Sequence, residues 1–141
     1  MIVIALVSNP PHNPLNKISS ELAASKDIAA QVNTLFLKGD SPDRAEQLAY
    51  ILKTLPHGKK VTSAILVVGC ITTEAEADQI RAVNGLIWHL TPLSDIRFIE
   101  GDLWAGPSHP YSNPVEALAE SRIILAERFL STRKERQGGG A

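Results

Sequence analysis

A chain of 141 residues is long enough for one hydrophobic core and short for two, and 44% hydrophobic with 21% charged residues is ordinary globular composition. A formal net charge of −1 gives no global field for nucleic acid or an anionic membrane, so nucleic acid is not an expected partner. No apolar run approaches the roughly 20 residues that span a bilayer, the single Cys70 has no internal disulfide partner, and no basic-then-apolar leader precedes the first strand; the expectation is a cytoplasmic protein with no membrane association.

In chain order, Ile2-Val3-Ile4-Ala5-Leu6-Val7 is continuously apolar and β-branched, the pattern of a strand buried on both faces. It runs into a proline-rich loop, and Asn13-Pro14 is a cap and first-turn pair for a helix carrying Leu15, Ile18, Leu22 and Ala29 on one face, with Lys17, Ser20, Glu21 and Lys26 on the other. Thr34-Leu35-Phe36-Leu37 reads as a second strand. Ser41-Pro42 then opens a helix with Ala45, Leu48, Ala49, Leu52 and Leu55 in one stripe, stopped by Pro56-His57-Gly58. Residues 63–68 form the third strand. Thr73 and Glu76 have capping-box spacing for a helix that turns Ala77, Ile80 and Val83 inward and ends at Asn84-Gly85. Residues 86–90 are the fourth strand and 96–99 a short fifth. The irregular stretch 100–113 is the longest loop, and a last helix starts at Asn113-Pro114 and runs to about Arg133 through Leu118, Ile123, Leu125, Ala126, Phe129 and Leu130.

Strands alternating with helices predict an α/β fold: a three-layer α/β/α sandwich with a mostly parallel sheet of four to five strands. The domain is expected to span 1–133, with 134–141 a flexible tail. The tail cations Arg133, Lys134 and Arg136, with Arg128, alternate with Glu127 and Glu135 and read as a solvated helix end. Ligands in such folds bind beyond the carboxyl ends of the strands, here the loops 8–13, 70–73 and 91–95.

The segment from Ala64-Ile65-Leu66-Val67-Val68 through Glu74-Ala75-Glu76-Ala77-Asp78-Gln79-Ile80-Arg81 to Leu86-Ile87-Trp88-His89-Leu90 resembles the late strand-helix-strand unit of phage deoxynucleoside monophosphate kinases. In that family an Asp-Val-Arg-Phe segment follows the strand, then a helix start of Asn-Glu-Ala-Glu type and an Ile-Arg. The resemblance implies a P-loop-kinase-like sandwich and a phage or mobile-element origin. Anchored on Ile80-Arg81, however, the family's Asp and Arg fall on Cys70 and Thr72. At the N-terminus the family's Gly-x-x-x-x-Gly-Lys-Ser/Thr aligns with the segment ending Asn16-Lys17-Ile18, and only the lysine survives.

A P-loop works because backbone N–H groups in glycine-permitted conformations point at phosphates while a hydroxyl after the lysine holds Mg²⁺. Here Pro10, Pro11 and Pro14 lack the N–H, and Ile18 stands where the hydroxyl belongs. Ser19 lies about 100° further round the helix. The expected outcome is a chain that keeps the kinase-like fold and has lost phosphoryl transfer.

The remaining candidates come from position. His12, Lys17, Cys70, Thr72, Glu74 and Asp95 fall on loops or helix starts that share the sheet's carboxyl edge and are the expected ligand-binding residues. Cys70 with His12 or His89 would suit nucleophilic chemistry, but a single cysteine at a strand end is usually a small buried residue. Glu74, Glu76 and Asp78 complement a helix dipole. No His or Cys spacing suits a metal, and no cofactor is expected. Trp104, His109 and Tyr111 are the partner-binding candidates. The two aromatics read either as an exposed hot spot or as plugs folded into the core.

The leading expectation is thus a protein that binds a nucleotide or a protein partner and has no catalytic residues of its own. The first alternative is a divergent nucleotide-processing enzyme, a monophosphate kinase or a hydrolase using His12, Glu74 or His89. The second is a homo-oligomeric assembly component that uses the apolar last helix.

Overall fold

A computed structural model describes residues 2–8, 14–25, 31–37, 41–55, 64–91, 94–106, 111 and 113–138, with 41, 42, 129 and 131–138 described by their backbone alone. Expectations placed on Asn13, Lys26, Ala29, Ser63 and the loop stops at 38–40 and 56–58 lie outside the described residues. The elements are β1 (Ile2–Val7), α1 (Leu15–Ala24), β2 (Gln31–Leu35), α2 (Ser41–Thr54), β3 (Ala64–Val68), α3 (Glu74–Ala82), β4 (Leu86–His89), β5 (Leu103–Trp104) and α4 (Pro114–Gly138).

The strands form one sheet in the order β2-β3-β1-β4-β5 with every neighbouring pair parallel. Its β-branched central strands are buried from both sides. Side chains alternate between the faces. Ile4, Leu6, Ile65, Val67 and Trp88 pack against Leu15, Ile18 and Leu22 of α1 and Ala117 and Leu118 of α4. Val3, Ala5, Val7, Leu66, Val68 and Ile87 pack on the other face against Leu48 and Leu52 of α2 and Ala77 and Ile80 of α3. These are the three layers of an α/β/α sandwich. The connection from β1 to β2 runs one way across the sheet through α1, and those from β2 to β3 and β3 to β4 run the other way through α2 and α3. Crossovers of a single hand require that change of face.

Buried polar bonds fix α4 to the sheet. Trp88 Nε1 donates to Ser121 Oγ at 2.9 Å, and that hydroxyl donates to the Ala117 carbonyl at 2.8 Å. The indole is wholly buried with its N–H satisfied, as a core Trp requires. Thr73 caps α3 by accepting from Glu76 N–H, and Asn113 caps α4 by accepting from Val115 N–H at 2.9 Å, both as expected.

Several expected boundaries move, each for a physical reason. The second strand is Gln31–Leu35, not 34–37, because its register is set by β3, from Gln31 opposite Ala64 to Leu35 opposite Val68. As an edge strand it carries exposed Asn33 and Thr34, which hide it from an apolar pattern, while Phe36 lies beyond its end and is 46% exposed. Residues 96–99 are not the fifth strand. Ile96 is buried on the α2/α3 face as part of the crossover, and the place beside β4 is taken by Leu103 and Trp104. A turn separates the two segments, with Asp102 N–H donating to the Ile99 carbonyl and Gly101 at φ 98°.

Pro14 is the residue before α1, not its first turn. Val83 is exposed instead of inward, since α3 ends at Ala82 and the chain turns there through Asn84 at φ 60°. The last helix continues past Arg133 to Gly138, because Lys134, Glu135, Arg136 and Gln137 are good helix formers and no proline intervenes.

Candidate functional site

Because β1 sends its connection to one face while its neighbours β3 and β4 send theirs to the other, the layers part at the carboxyl end of β1. A cleft of about 580 Å³ opens there on the α1/α4 side. Pro14, Ile18, Leu90, Ala105 and Pro114 give it apolar walls, and Ser8, Thr91 and Asn113 supply polar groups. Lys17 and Glu21, one turn apart on α1 and both exposed, bring its charges. The ladder continues past the strands into this edge, with Leu90 N–H donating to the Val7 carbonyl and Ala105 N–H to the His89 carbonyl, so the walls beside β4 and β5 are held by backbone hydrogen bonds.

The α2/α3 side of the edge is built differently. Glu76, with no exposed surface, accepts from Arg44 Nε at 2.9 Å, from Thr73 Oγ1 at 2.6 Å, and from Thr72 Oγ1 and N–H at 3.2 and 3.3 Å. Arg44 Nη2 also donates to the Cys70 carbonyl at 2.7 Å. A cation in the first turn of a helix opposes the dipole, and the buried carboxylate of α3 is what holds this one there. Cys70 has φ 24°, a conformation that side chains other than glycine rarely adopt. Burial pushes its thiol above the ordinary range, against the opposing pull of Arg44 and of a backbone hydrogen bond.

A second node closes the crossover between β4 and β5. Asp102 Oδ2 lies 2.8 Å from His89 Nε2 and 2.9 Å from Arg81 Nη2, and accepts from Ile99 N–H at 3.2 Å. His89 is 1% exposed. Phe98 and Trp104 stack with centroids 4.7 Å apart and planes within 2°, and His89 packs against both rings. The His89–Asp102 pair has the spacing of a catalytic dyad, with the imidazole enclosed beneath Phe98 and Trp104.

Of the candidates named from the sequence, Lys17 alone among those described lines the cleft. Cys70 and Thr72 sit in the Arg44–Glu76 node. Glu74 is an ion-pair partner of Arg81 and Arg97 on the same α2/α3 side. Asp95 is exposed away from the cleft lining. Tyr111 is a plug, packed partly buried against the α1/α4 core, whereas Trp104 is half-buried beneath Phe98. His12 and His109 lie outside the described residues.

Arg44, Asp102 and Phe98 were not singled out from the sequence. Arg44 carried one legible signal, a cation at a helix start. Asp102 and Phe98 carried none, since their partners lie on other elements. Ile18 lines the cleft but has no hydroxyl, and Ser19 is buried and not among the lining residues, so no hydroxyl enters the cleft from the positions just after Lys17. No protein-family model, curated protein or solved structure matches this chain.

Proposed function

We propose that the protein binds a nucleotide in the cleft beside β1, and that it does so without phosphoryl transfer. The observation that carries this reading is the cleft itself: about 580 Å³ at the point where the sheet's connections change face, with apolar walls and Lys17 at its rim. Pro14, Leu90, Ala105 and Pro114 would pack against a base or other flat ring. Lys17 would meet the anionic group, with the starts of α1 and α4 on either side adding the positive ends of their dipoles. The chain's departures from the kinase pattern support binding over transfer, because no hydroxyl follows Lys17 to hold a metal and the prolines remove backbone donors.

Calorimetric titration with a panel of deoxynucleoside mono- and triphosphates, with and without Mg²⁺, tests it. Saturable binding that Lys17→Ala weakens at least tenfold, with no product formed from added ATP, is the expected result. Absence of binding to every member refutes it. Binding that Mg²⁺ strengthens and that is followed by turnover favours the divergent enzyme instead.

One observation favours a second reading, that of a protein partner. Phe98 and Ile99 are 40% and 42% exposed beside the half-buried Trp104, an aromatic surface on a tethered turn. If it serves a partner, Phe98→Ala lowers retention of that partner in affinity capture while leaving nucleotide binding unchanged.

A further inference from the structure

The last helix has two apolar faces. The inner one, Ala117, Leu118, Ser121, Ile124 and Arg128, meets the sheet layer or the turn at Gly101. Diametrically opposite, Ala119, Ile123, Ala126 and Leu130 are all exposed, Ile123 and Leu130 at 52% and 54%. Single exposed apolar residues need no explanation. These four, however, are spaced four, three and four apart, the seam of a heptad repeat, with Ile123 and Leu130 at its a positions and Ala119 and Ala126 at its d positions.

The flanks of that seam carry opposite charge. Arg122 stands on one side, at g, and Glu120 and Glu127 on the other, at e. Neither Arg122 nor Glu127 has an ion pair among the described residues. In two parallel helices each g residue faces the e residue five places on in the other helix, which sets Arg122 against Glu127 of the partner subunit, twice by symmetry. An antiparallel pair would instead align the acidic flanks with one another. The flanks are therefore complementary between two copies in parallel, while Glu116, one heptad before Ile123 and exposed, marks the end of the apolar seam. We infer that the outer face of α4 is a homodimer interface, in which two copies pair in parallel along Ala119, Ile123, Ala126 and Leu130 with Arg122 bridging to the partner's Glu127.

The inference is independent of the cleft, which lies against the opposite face of α4 at its first turn. The small d residues let the helices approach closely, and the short seam puts the dimer at the weak end of the size range, so it forms as concentration rises.

Sedimentation velocity from about 1 µM to about 1 mM measures it. The expected result is a shift from monomer to dimer across that range, abolished by Ile123→Glu or Leu130→Glu with the circular dichroism unchanged. Arg122→Glu and Glu127→Arg should each weaken association about tenfold, and the double variant should restore it. Ala126→Cys should form an intermolecular disulfide under mild oxidation, as parallel d positions require. A monomer at every concentration overturns the inference, and so does a double variant no better than the singles.

Discussion

Removing the carboxylate of Glu76 should cost the protein more than any surface change of the same size. Glu76 is fully buried and accepts from Arg44 and from both Thr72 and Thr73, so Glu76→Ala leaves a guanidinium whose side chain is only 18% exposed without its counter-charge. Breaking one side of such a pair costs about 3–5 kcal/mol. Arg44 keeps its bond to the Cys70 carbonyl and some contact with water, which places this case near the lower end, about 3 kcal/mol. For a domain of this size that is a fall in Tm of about 10–15 °C, or about 2 M in the urea midpoint. Far-UV circular dichroism during heating and urea titration at pH 7 reads both. Glu76→Gln, which keeps the shape and one acceptor, should lose about half as much. Replacing both partners, Arg44→Met with Glu76→Leu, should recover most of the loss because no charge is then stranded. The reasoning fails if Glu76→Ala costs under about 1 kcal/mol, or if its cost is the same with and without Arg44.

Further outcomes concern Cys70 and the glycines. The raised Cys70 thiol should react with iodoacetamide more slowly at pH 8 than a free thiol, and Arg44→Met should slow it further by removing the charge that favours the thiolate. Since the folded value lies above the unfolded one, this thiol's contribution to stability is complete below the unfolded value and declines as pH rises towards the folded value; a urea midpoint that rises over that interval in wild type relative to Cys70→Ser would contradict it. Among glycines, Gly85→Ala should be worse than Gly101→Ala. A Cβ at Gly85 meets Ile80 Cγ2 at 2.6 Å and the carbonyls of Ile80 and Val3 at 2.8 and 3.2 Å, backbone that cannot step aside, for about 1–3 kcal/mol. At Gly101 the obstacle is the movable end of Arg128, and the positive φ leaves about 1 kcal/mol. Chemical denaturation of the two variants decides the order.

Elements whose burial is decided by their own residues were legible in the sequence. β1 and β3 are continuous β-branched runs because both sides of them are covered, and the stripes of α1 and α2 fall at the spacing their packing needs. Segments placed by partners distant in the chain were misplaced. β2 has polar Asn33 and Thr34 and is a strand because β3 offers it an edge, while residues 96–99 look like a strand and are held out of the ladder by Asp102 and by the burial of Ile96. β-propensity describes fit to a surface, and neither segment carries the description of its surface within itself.

The site shows the same division in its charges. Cations at the carboxyl edge of a parallel sheet suggest anion binding when they are read one at a time. On the α2/α3 side two of them, Arg44 and Arg81, are matched by carboxylates almost wholly buried on the same chain, Glu76 and Asp102, so that side is neutralised from within. Glu76, at the start of α3, meets Arg44 of α2, and Asp102, in a loop thirteen residues past His89, meets Arg81 of α3, so the matching appears only once α2 and the β4–β5 crossover are packed against α3. Lys17, on the α1/α4 side, has no ion pair among the described residues and stands at the mouth of the cleft. A charge in water costs little to leave unpaired, whereas Arg44 or Arg81 would have to lose a buried partner before meeting an external anion. That difference in cost is why the proposed ligand's anionic group is assigned to Lys17 and not to the more numerous cations across the sheet.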